Sequence, residues 1–221
     1  MALKPNIAID GPAGSGKSTV AKLVAKKLGF LYIDTGAMYR ALTLKALRNK
    51  IDLNNAALLV AMSAETSIEL RTDNSQNLKV LLDHEDVTEA IRDPLVSQNV
   101  SLVAIIPEVR KRLVKMQQKM AIQGGVVMEG RDIGTVVLPT AQVKVFLTAA
   151  AEERAQRRRL ELASKGYNVA QEDMQREIVE RDRIDSGREA DPLIQAADAF
   201  LINCSAISAE EVAQIIIGRI N

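Results

Sequence analysis

Residues 9–19 read IDGPAGSGKST, in which residues 11–18 match the pattern G-x-x-x-x-G-K-[ST]. A short apolar run, Asn6 to Asp10, precedes it, and apolar residues at helical spacing follow between Ser18 and Leu28. This order of strand, glycine loop and helix is the context that makes the pattern specific for a phosphate. Hydrolases, switches and kinases all use such a loop, so the rest of the chain must decide where the phosphate goes.

The glycine loop predicts a site for ATP with Mg²⁺ as its cofactor. Backbone N–H groups of the loop and the positive end of the following helix attract phosphate oxygens. Lys17 is placed to reach the β- and γ-phosphates, and the Ser18 hydroxyl is placed to bind the metal. The ATP-binding residues predicted from the loop are Gly11, Pro12, Ala13, Gly14, Ser15, Gly16, Lys17, Ser18 and Thr19.

Composition limits the kind of partner. The 221 residues suffice for one sizeable core, and 29 Lys and Arg against 28 Asp and Glu give a net charge of +1. This net charge gives no strong positive electrostatic field, and with no Trp and 3% aromatic residues the chain offers little surface for stacking of bases. Nucleic-acid binding is therefore not expected. Small-molecule partners and a monomer are expected.

The expected location is the cytoplasm. The single cysteine, Cys204, cannot form an internal disulfide and is interpreted as a buried thiol in a reducing compartment. Residues Met1 to Asn6 lack the pattern of a secretion signal, and no apolar run is long enough to span a membrane. Neither secretion nor membrane insertion is therefore expected.

Short apolar runs separated by helical patterns predict an α/β fold, with a five-stranded parallel sheet covered on both faces. The predicted strands are 6–10, 30–33, 125–128, 143–147 and 199–202, and the predicted helices are 18–28, 37–48, 109–123, 151–163 and 170–188. From Ser67 to Val87, alternation around the polar turn DNSQN (73–77) predicts a small antiparallel insert outside this sheet.

Three charged segments are expected near the phosphate loop. DTGAMYR (34–40) and EGRDIGT (129–135) each follow the carboxyl end of a strand, where ligands bind in open α/β sheets. In ERDRIDSGR (180–188), spacings of four and three put Arg181, Asp185 and Arg188 on one helical face. Such arginines suit phosphate binding, and a solvated ion network is the alternative that the residues alone leave open.

Two further features are assigned ordinary structural roles. NKID (49–52) matches the base-reading N-K-x-D pattern of GTPases, but it lies at the end of a predicted helix rather than after a late strand. We therefore interpret it as a helix end and disfavour a switch GTPase. His84, the one histidine, is interpreted as a turn residue of the insert.

Together, GPAGSGKST, DTGAMYR, EGRDIGT and ERDRIDSGR, in this order, closely resemble the bacterial cytidylate kinases, a family of nucleoside monophosphate kinases. The resemblance covers nearly the whole chain and implies a three-layer α/β/α P-loop kinase fold in one domain, residues 1–221. It further implies a monophosphate-binding insert at about 36–105 and a lid region at about 154–188. The implied reaction transfers the γ-phosphate of ATP to CMP or dCMP, giving ADP and CDP or dCDP.

The resemblance also implies roles for individual side chains. The implied catalytic residues are Lys17, Arg131, Arg158 and Arg188, and the further arginines implied in ATP binding are Arg154 and Arg157. The implied substrate-binding residues are Thr35, Arg40, Ser101, Arg110, Arg131, Asp132, Arg181, Asp185 and Arg188. Arg40, Arg131 and Arg188 would clamp the acceptor phosphate. Without the resemblance, Ser101 and Arg110 would be assigned to ordinary helix surface.

The implied base readers agree with the chemistry of cytosine. Cytosine presents an amino donor beside ring acceptors, so Asp132 would accept from N4 while Ser101 and Arg110 donate. Uracil reverses two of these groups and would leave the carboxylate facing an acceptor. Arg181 and Asp185 would contact the sugar.

Phosphoryl transfer requires positioning and charge neutralisation rather than a general base. It also requires that water be excluded, so the helical pair around SKGYN (164–168) is expected to close as a lid, with Gly166 as its flexible point. Two alternatives remain. A shikimate-type small-molecule P-loop kinase would give no reason for base and sugar contacts, and a non-catalytic nucleotide-binding regulator is disfavoured by the intact Lys17 and Ser18.

Overall fold

The computed structural model describes residues 3–73 and 78–220. Its strands are β1 (Ile7–Asp10), β2 (Leu31–Asp34), β3 (Ile68–Thr72), β4 (Leu78–Leu82), β5 (Glu85–Asp86), β6 (Val126–Gly130), β7 (Val143–Thr148) and β8 (Phe200–Asn203). Its α-helices are α1 (Lys17–Leu28), α2 (Thr35–Arg48), α3 (Ala56–Ala64), α4 (Pro94–Ala104), α5 (Pro107–Met120), α6 (Ala151–Ala163), α7 (Gln171–Gly187) and α8 (Ala209–Ile217). A 3₁₀ helix (Ala90–Arg92) and a π-helical turn (Ile133–Val137) complete the regular structure of the described residues.

The main sheet has five parallel strands in the order β2-β6-β1-β7-β8, which confirms the predicted α/β architecture. In the centre, Ile9 of β1 lies opposite Glu129 of β6 and Val145 of β7. Carboxyl ends of parallel strands lie along one edge, so the glycine loop after β1, DTGAMYR after β2 and EGRDIGT within and after β6 meet there.

Helices cover both faces of this sheet. Side chains alternate along a strand, and on β1 the buried Ile7 and Ile9 pack with α1 and α8, while Ala8 packs in a separate cluster with residues of α5. Because both faces are covered, the central strands β1, β6 and β7 are mainly apolar, and side chains on both of their faces are buried. This packing produces the three layers and leaves the carboxyl edge open.

The insert carries the second sheet, in which β3, β4 and β5 are antiparallel and Ile68 lies opposite Leu82. The predicted antiparallel insert is thus confirmed, although residues 74–77 of the DNSQN turn lie outside the described residues. The inward side chains of this sheet, Ile68, Val80 and Leu82, are buried in one core with side chains of α2, α3, α4 and α5. The insert is therefore a second packed unit beside the main sheet.

Helices α6 and α7 form a pair with a small core of their own, made by Ala155, Leu162, Met174 and Ile178. Gly166, in the connection between them, has φ 86°, in the left-handed region that favours glycine. The two helices match their predicted ranges to within one residue.

Some elements differ from the sequence prediction. Helix α2 begins at Thr35, two residues early, because the Asp34 side chain caps it by accepting a hydrogen bond from the Ala37 N–H at 3.0 Å. Arg40 therefore lies in the second turn of this helix and not in the first. Helix α5 covers Pro107–Met120 rather than 109–123, since Pro107 starts it.

Three helices, α3, α4 and α8, were not predicted. Their starting signals are nevertheless present, because Asn55 and Asp93 cap α3 and α4, and Ser208 with Glu211 forms a capping box at α8.

Three of the minor assignments are confirmed. Asn49 is the C-cap of α2 and Lys50 has φ 53°, so NKID is a helix end. His84 is an exposed residue with φ 72° in the turn after β4, and Cys204 is buried. None of the described helices combines the length and apolar character that crossing a membrane requires.

Candidate active site

A cavity of about 770 Å³ opens at the carboxyl edge of the main sheet, within the size range of ligand pockets. Its walls come from the glycine loop, the ends of β2 and β6, the insert, and helices α6 and α7. The predicted site residues that line it are Ala13, Gly14, Gly16, Lys17, Ser18, Thr19, Thr35, Arg40, Ser101, Arg110, Arg131, Asp132, Arg157, Arg158, Arg181, Asp185 and Arg188. Gly11, Pro12, Ser15 and Arg154 lie outside the described lining.

The loop backbone curves tightly in front of α1. Gly11 has φ 147°, and a Cβ there would lie 2.1 Å from the Leu147 carbonyl oxygen, so no side chain fits. Gly16 caps α1 with φ 91°, in the left-handed region. The first residues of α1, Lys17, Ser18 and Thr19, line the cavity, and free N–H groups at a helix start attract anions.

Lys17 is folded back onto the loop. Its Nζ donates to the Pro12 carbonyl oxygen at 2.7 Å and lies 3.4 Å from Ser15 Oγ, and the residue is only 6% exposed. Burial and the neighbouring Arg131 guanidinium lower the pKa of Lys17 to about 7. The ammonium is thus poorly solvated, and an incoming polyphosphate would supply the negative charge it lacks.

Behind Lys17, the Glu129 carboxylate is buried in β6. Tyr32 Oη donates to Glu129 Oε1 at 2.5 Å, and the Ser18 hydroxyl contacts the same carboxylate. Burial and the nearby Asp34 raise the pKa of Glu129. Hydroxyl and carboxylate oxygens are the donors that Mg²⁺ prefers, so this corner fits the metal of a bound nucleotide.

The segment DTGAMYR contains an ion pair at the start of α2. Arg40 Nη2 donates to Asp34 Oδ2 at 2.7 Å, and Thr35 Oγ1 donates to the Glu129 carbonyl oxygen at 2.7 Å. A Cβ at Gly36 would lie 3.0 Å from Arg40 Nη1, so the glycine lets this pair close over the helix start. Burial alone would raise the pKa of Asp34, but Arg40 and the Ala37 N–H hold it below its usual value.

EGRDIGT is fixed to the glycine loop by Asp10, the last residue of β1. Asp10 Oδ1 accepts from the Ile133 N–H at 2.8 Å, and Oδ2 accepts from the Gly134 N–H at 2.7 Å. Burial raises the pKa of Asp10 to about 6 against these hydrogen bonds. This buried carboxyl group therefore sets the position of the turn that carries Arg131 and Asp132.

Arg131 joins the turn to α7. Its Nε donates to Asp185 Oδ2 at 2.8 Å, while Arg181 Nε lies 3.9 Å from the same oxygen. Burial, followed by repulsion from Arg131, lowers the pKa of Arg181 to about 10. Two guanidinium groups thus share one carboxylate, an arrangement with unsatisfied positive charge facing the cavity.

Ser101, Arg110 and Asp132 all line the cavity, and Arg110 and Asp132 contact each other. Ser101 and Asp132 are each 5% exposed and Arg110 is 1% exposed, so the helix-surface reading that the residues alone favoured is wrong. Arg110 Nη2 donates to Asp132 Oδ2, and Arg188 Nη2 lies 3.7 Å from Asp132 Oδ1. Burial raises the pKa of Asp132 despite both arginines.

Three of the arginines of α6, Arg154, Arg157 and Arg158, were predicted as site residues, and they lie in different places. Arg154 is behind the loop, where it donates to the Ala13 and Ala149 carbonyl oxygens and pairs with Asp182. Since these contacts occupy the guanidinium, the geometry gives no support to its predicted contact with ATP. Arg157 lies beside Gly16, with its Nη1 3.9 Å from the position of a Cβ there, and Arg158 lines the cavity further in.

Several cavity residues were not predicted as site residues, namely Tyr32, Asp34, Tyr39, Arg92 and Glu129. Tyr39 Oη and Arg92 Nε are buried without a hydrogen-bond partner among the described residues. Tyr39 is part of DTGAMYR and could have been found there, whereas nothing in the sequence around Arg92 marks it.

Comparison with known proteins identifies the family. The family model for cytidylate kinase matches residues 7–221. A cytidylate kinase of Pelotomaculum thermopropionicum is 62% identical over 217 residues, 98% of this chain and 96% of that protein. One of Desulforamulus reducens is 56% identical over 211 residues, 96% and 94% of the two chains.

Among solved structures, an uncharacterized protein from Eubacterium ventriosum has the same fold. Its TM-score is 0.54 at 15% identity, and the match covers 98% of each chain. At this identity the likeness speaks for the fold alone, whereas the sequence matches span nearly the whole chain. The chain belongs to the cytidylate kinase family.

Proposed function

We propose that this protein transfers the γ-phosphoryl group of ATP to CMP or dCMP, giving ADP and CDP or dCDP. The kinase activity on CMP follows from membership of the family. The observation that carries the detailed proposal is that one cavity contains both the glycine loop and the carboxylate and arginine set suited to a cytidine monophosphate.

On the donor side, the loop from Gly11 to Thr19 would hold the triphosphate through its N–H groups, with Lys17 against the β- and γ-phosphates. Ser18, with Glu129 behind it, would hold Mg²⁺, which supplies positive charge to the phosphates when bound. Arg157, close to Gly16, is the better placed of the predicted ATP-binding arginines.

On the acceptor side, Arg40, Arg131 and Arg188 would clamp the phosphate of CMP. Arg188 Nη2 supports this role because it is buried without a hydrogen-bond partner among the described residues. A buried donor of this kind is costly unless a ligand satisfies it. Thr35 and Arg158 also line the cavity; Thr35 would contact the acceptor, and Arg158 would meet the charge of the transferred group.

The nucleoside would lie between two groups of side chains. Asp132 would accept from the cytosine N4 amino group while Ser101 and Arg110 donate to ring acceptors. Asp185 and Arg181 on α7 would contact the sugar. Both Asp132 and Asp185 line the cavity and are held by arginines in the described structure, which supports these roles.

No general base is required for the reaction. The acceptor oxygen of CMP is anionic near neutral pH, because the second pKa of a phosphate monoester is about 6. The site has to position the two substrates and neutralise the charge on the transferred phosphoryl group. Lys17, Arg131, Arg158 and Arg188 would supply the positive charge.

The proposed lid, about 154–188, and the proposed monophosphate-binding insert, about 36–105, both contribute residues to the cavity lining. Arg158 Nη2 of α6 donates to Ser97 Oγ of α4 at 3.2 Å, so the two regions touch. Their closure would exclude water and prevent hydrolysis of ATP. We further propose that the protein is a cytoplasmic monomer. Size-exclusion chromatography with light scattering would test the oligomeric state.

The test of the function is ADP formation from ATP and Mg²⁺ with CMP, dCMP, UMP, AMP, shikimate or no acceptor. We expect kcat/KM to be highest for CMP and dCMP. Faster turnover of shikimate or AMP would remove the base assignments of Ser101, Arg110 and Asp132. Binding of ATP without turnover of any acceptor would leave a nucleotide-binding regulator.

A further inference from the structure

The turn that follows α7 contains a strained residue next to the cavity. Asp191 has φ 51° and is followed by Pro192, although a residue before proline favours extended backbone with negative φ. The other described non-glycine residues with positive φ, Lys50, Asp83 and His84, lie at a helix end and a hairpin. Strain of this kind persists where surrounding contacts hold it, and it is common at functional sites.

Asp191 contacts two arginines of the candidate site. Its side-chain Oδ2 accepts from Arg110 Nε at 2.9 Å, and its backbone carbonyl oxygen accepts from Arg188 Nε at 2.6 Å. The same turn is tied to α7, because the Leu193 N–H donates to the Asp185 carbonyl oxygen at 2.8 Å. One residue therefore holds the Nε atoms of both guanidinium groups. Arg110 Nη1 donates to the Ala104 carbonyl oxygen, and the Nη2 atom of each arginine lies against Asp132.

The charges explain why a second carboxylate is needed. Arg110 and Arg188 both approach Asp132, and each arginine is less than 10% exposed. If Asp132 turns to the amino group of a cytosine, Arg110 keeps a negative partner only through Asp191. A buried guanidinium without such a partner is strongly unfavourable.

We propose that Asp191 is a positioning residue that fixes Arg110 and Arg188 in the geometry that binds CMP, and so couples the base end of the acceptor site to its phosphate end. This inference rests on the proposed function. Asp191 itself lies outside the described cavity lining, so it acts through the two arginines and not by touching the nucleotide.

Two variants distinguish the contribution of the Asp191 side chain from that of its backbone carbonyl. Asp191→Asn keeps an acceptor oxygen and tolerance of positive φ but removes the charge, whereas Asp191→Gly keeps only the backbone carbonyl and relieves the strain. We expect the KM for CMP to rise about threefold in the Asn variant and about tenfold in the Gly variant. The KM for ATP should change less than about twofold, because the loop is not involved.

The matched control is Asp198→Asn. Asp198 also pairs with a buried cation, since Lys144 Nζ lies 2.8 Å from its Oδ2, but neither residue lines the described cavity. Both KM values should stay at the wild-type level in this variant.

Calorimetric titration with CMP, in the absence of ATP, gives a readout that does not depend on turnover. Weaker binding of CMP in the order wild type, Asn, Gly is expected. Unchanged CMP affinity in both Asp191 variants, or equal losses for CMP and ATP, would overturn the inference while wild-type turnover of CMP keeps the proposed function. A wild-type protein that does not phosphorylate CMP would instead overturn the proposed function.

Discussion

The two ends of the cavity are built in different ways. At the donor end, one contiguous loop presents backbone N–H groups and a single lysine, Lys17, which donates to the Pro12 carbonyl oxygen of the same loop. At the acceptor end, arginines from four separate parts of the chain are paired with carboxylates, among them Arg40 with Asp34 and Arg131 with Asp185. The donor end is therefore a local structure, whereas the acceptor end exists only in the folded chain.

This difference has a physical basis. A triphosphate is recognised by charge and by a curved backbone, which a short segment with several glycines supplies. A nucleoside monophosphate is recognised by groups at fixed separations, and side chains hold such separations only if other side chains orient them. The pairs Arg110 with Asp132 and Arg131 with Asp185 supply that orientation before any ligand binds.

The largest loss of activity is expected from removing the positive charge of Lys17 at the donor end. Lys17→Ala should lower kcat/KM for ATP by about 10³-fold, because no other residue of the loop carries a positive side chain to the phosphates. Steady-state kinetics with saturating CMP measure this, and Lys27→Ala on the exposed side of the same helix is the control. A loss below about tenfold would mean that Lys17 is not the phosphate-binding group.

At the acceptor end, Arg131→Ala should lower kcat by about 10²-fold, since it removes one of the charges proposed to meet the transferred phosphoryl group. The loss is expected to be smaller than for Lys17, as Arg181, Arg188 and Arg158 remain. The same assay with Arg183→Ala, an exposed arginine of α7, should give wild-type values. Equal losses of kcat in Arg131→Ala and Arg183→Ala would contradict a specific role for Arg131.

Specificity offers a finer test of the acceptor end. Asp132→Asn should reduce the preference for CMP over UMP about tenfold, because an amide can donate to the uracil carbonyl oxygen that a carboxylate repels. The ratio of kcat/KM for the two nucleotides, measured at one ATP concentration, gives the answer. A variant that loses both activities in proportion would indicate that Asp132 supports the structure rather than reads the base.

The smallest effect is a pH dependence at the donor end. Burial lowers the pKa of Lys17 to about 7, so its positive charge is present below that pH and is lost as the pH rises through it. At saturating CMP, kcat/KM for ATP should therefore fall about threefold between about pH 6.5 and about pH 7.5.

Lys17→Arg supplies the control for this titration. A guanidinium stays charged throughout this range, so the decrease above about pH 7 should disappear even if the absolute rate is lower. A wild-type profile that does not fall above about pH 7, or an identical fall in the Arg variant, would assign the titration to another group.

The donor end and the α/β architecture could be predicted from the sequence alone. The glycines, Lys17 and Ser18 lie within eight consecutive residues, so their spacing in the sequence sets their arrangement in space. The apolar runs predicted the five parallel strands that the structure contains. Assignment to the cytidylate kinases from four motifs is confirmed by the family match over residues 7–221. The roles of the individual site residues stay predictions, to be tested by the variants above.

Which charged side chains line the cavity could be read only from the folded chain. Arg154 and Arg157 are three residues apart on one helix, yet one lies behind the loop and the other lines the cavity. Arg110 and Asp191 are 81 positions apart and meet at 2.9 Å. Helical periodicity gives the face of a single helix, but which face is buried depends on what packs against it, and that is a property of the whole fold.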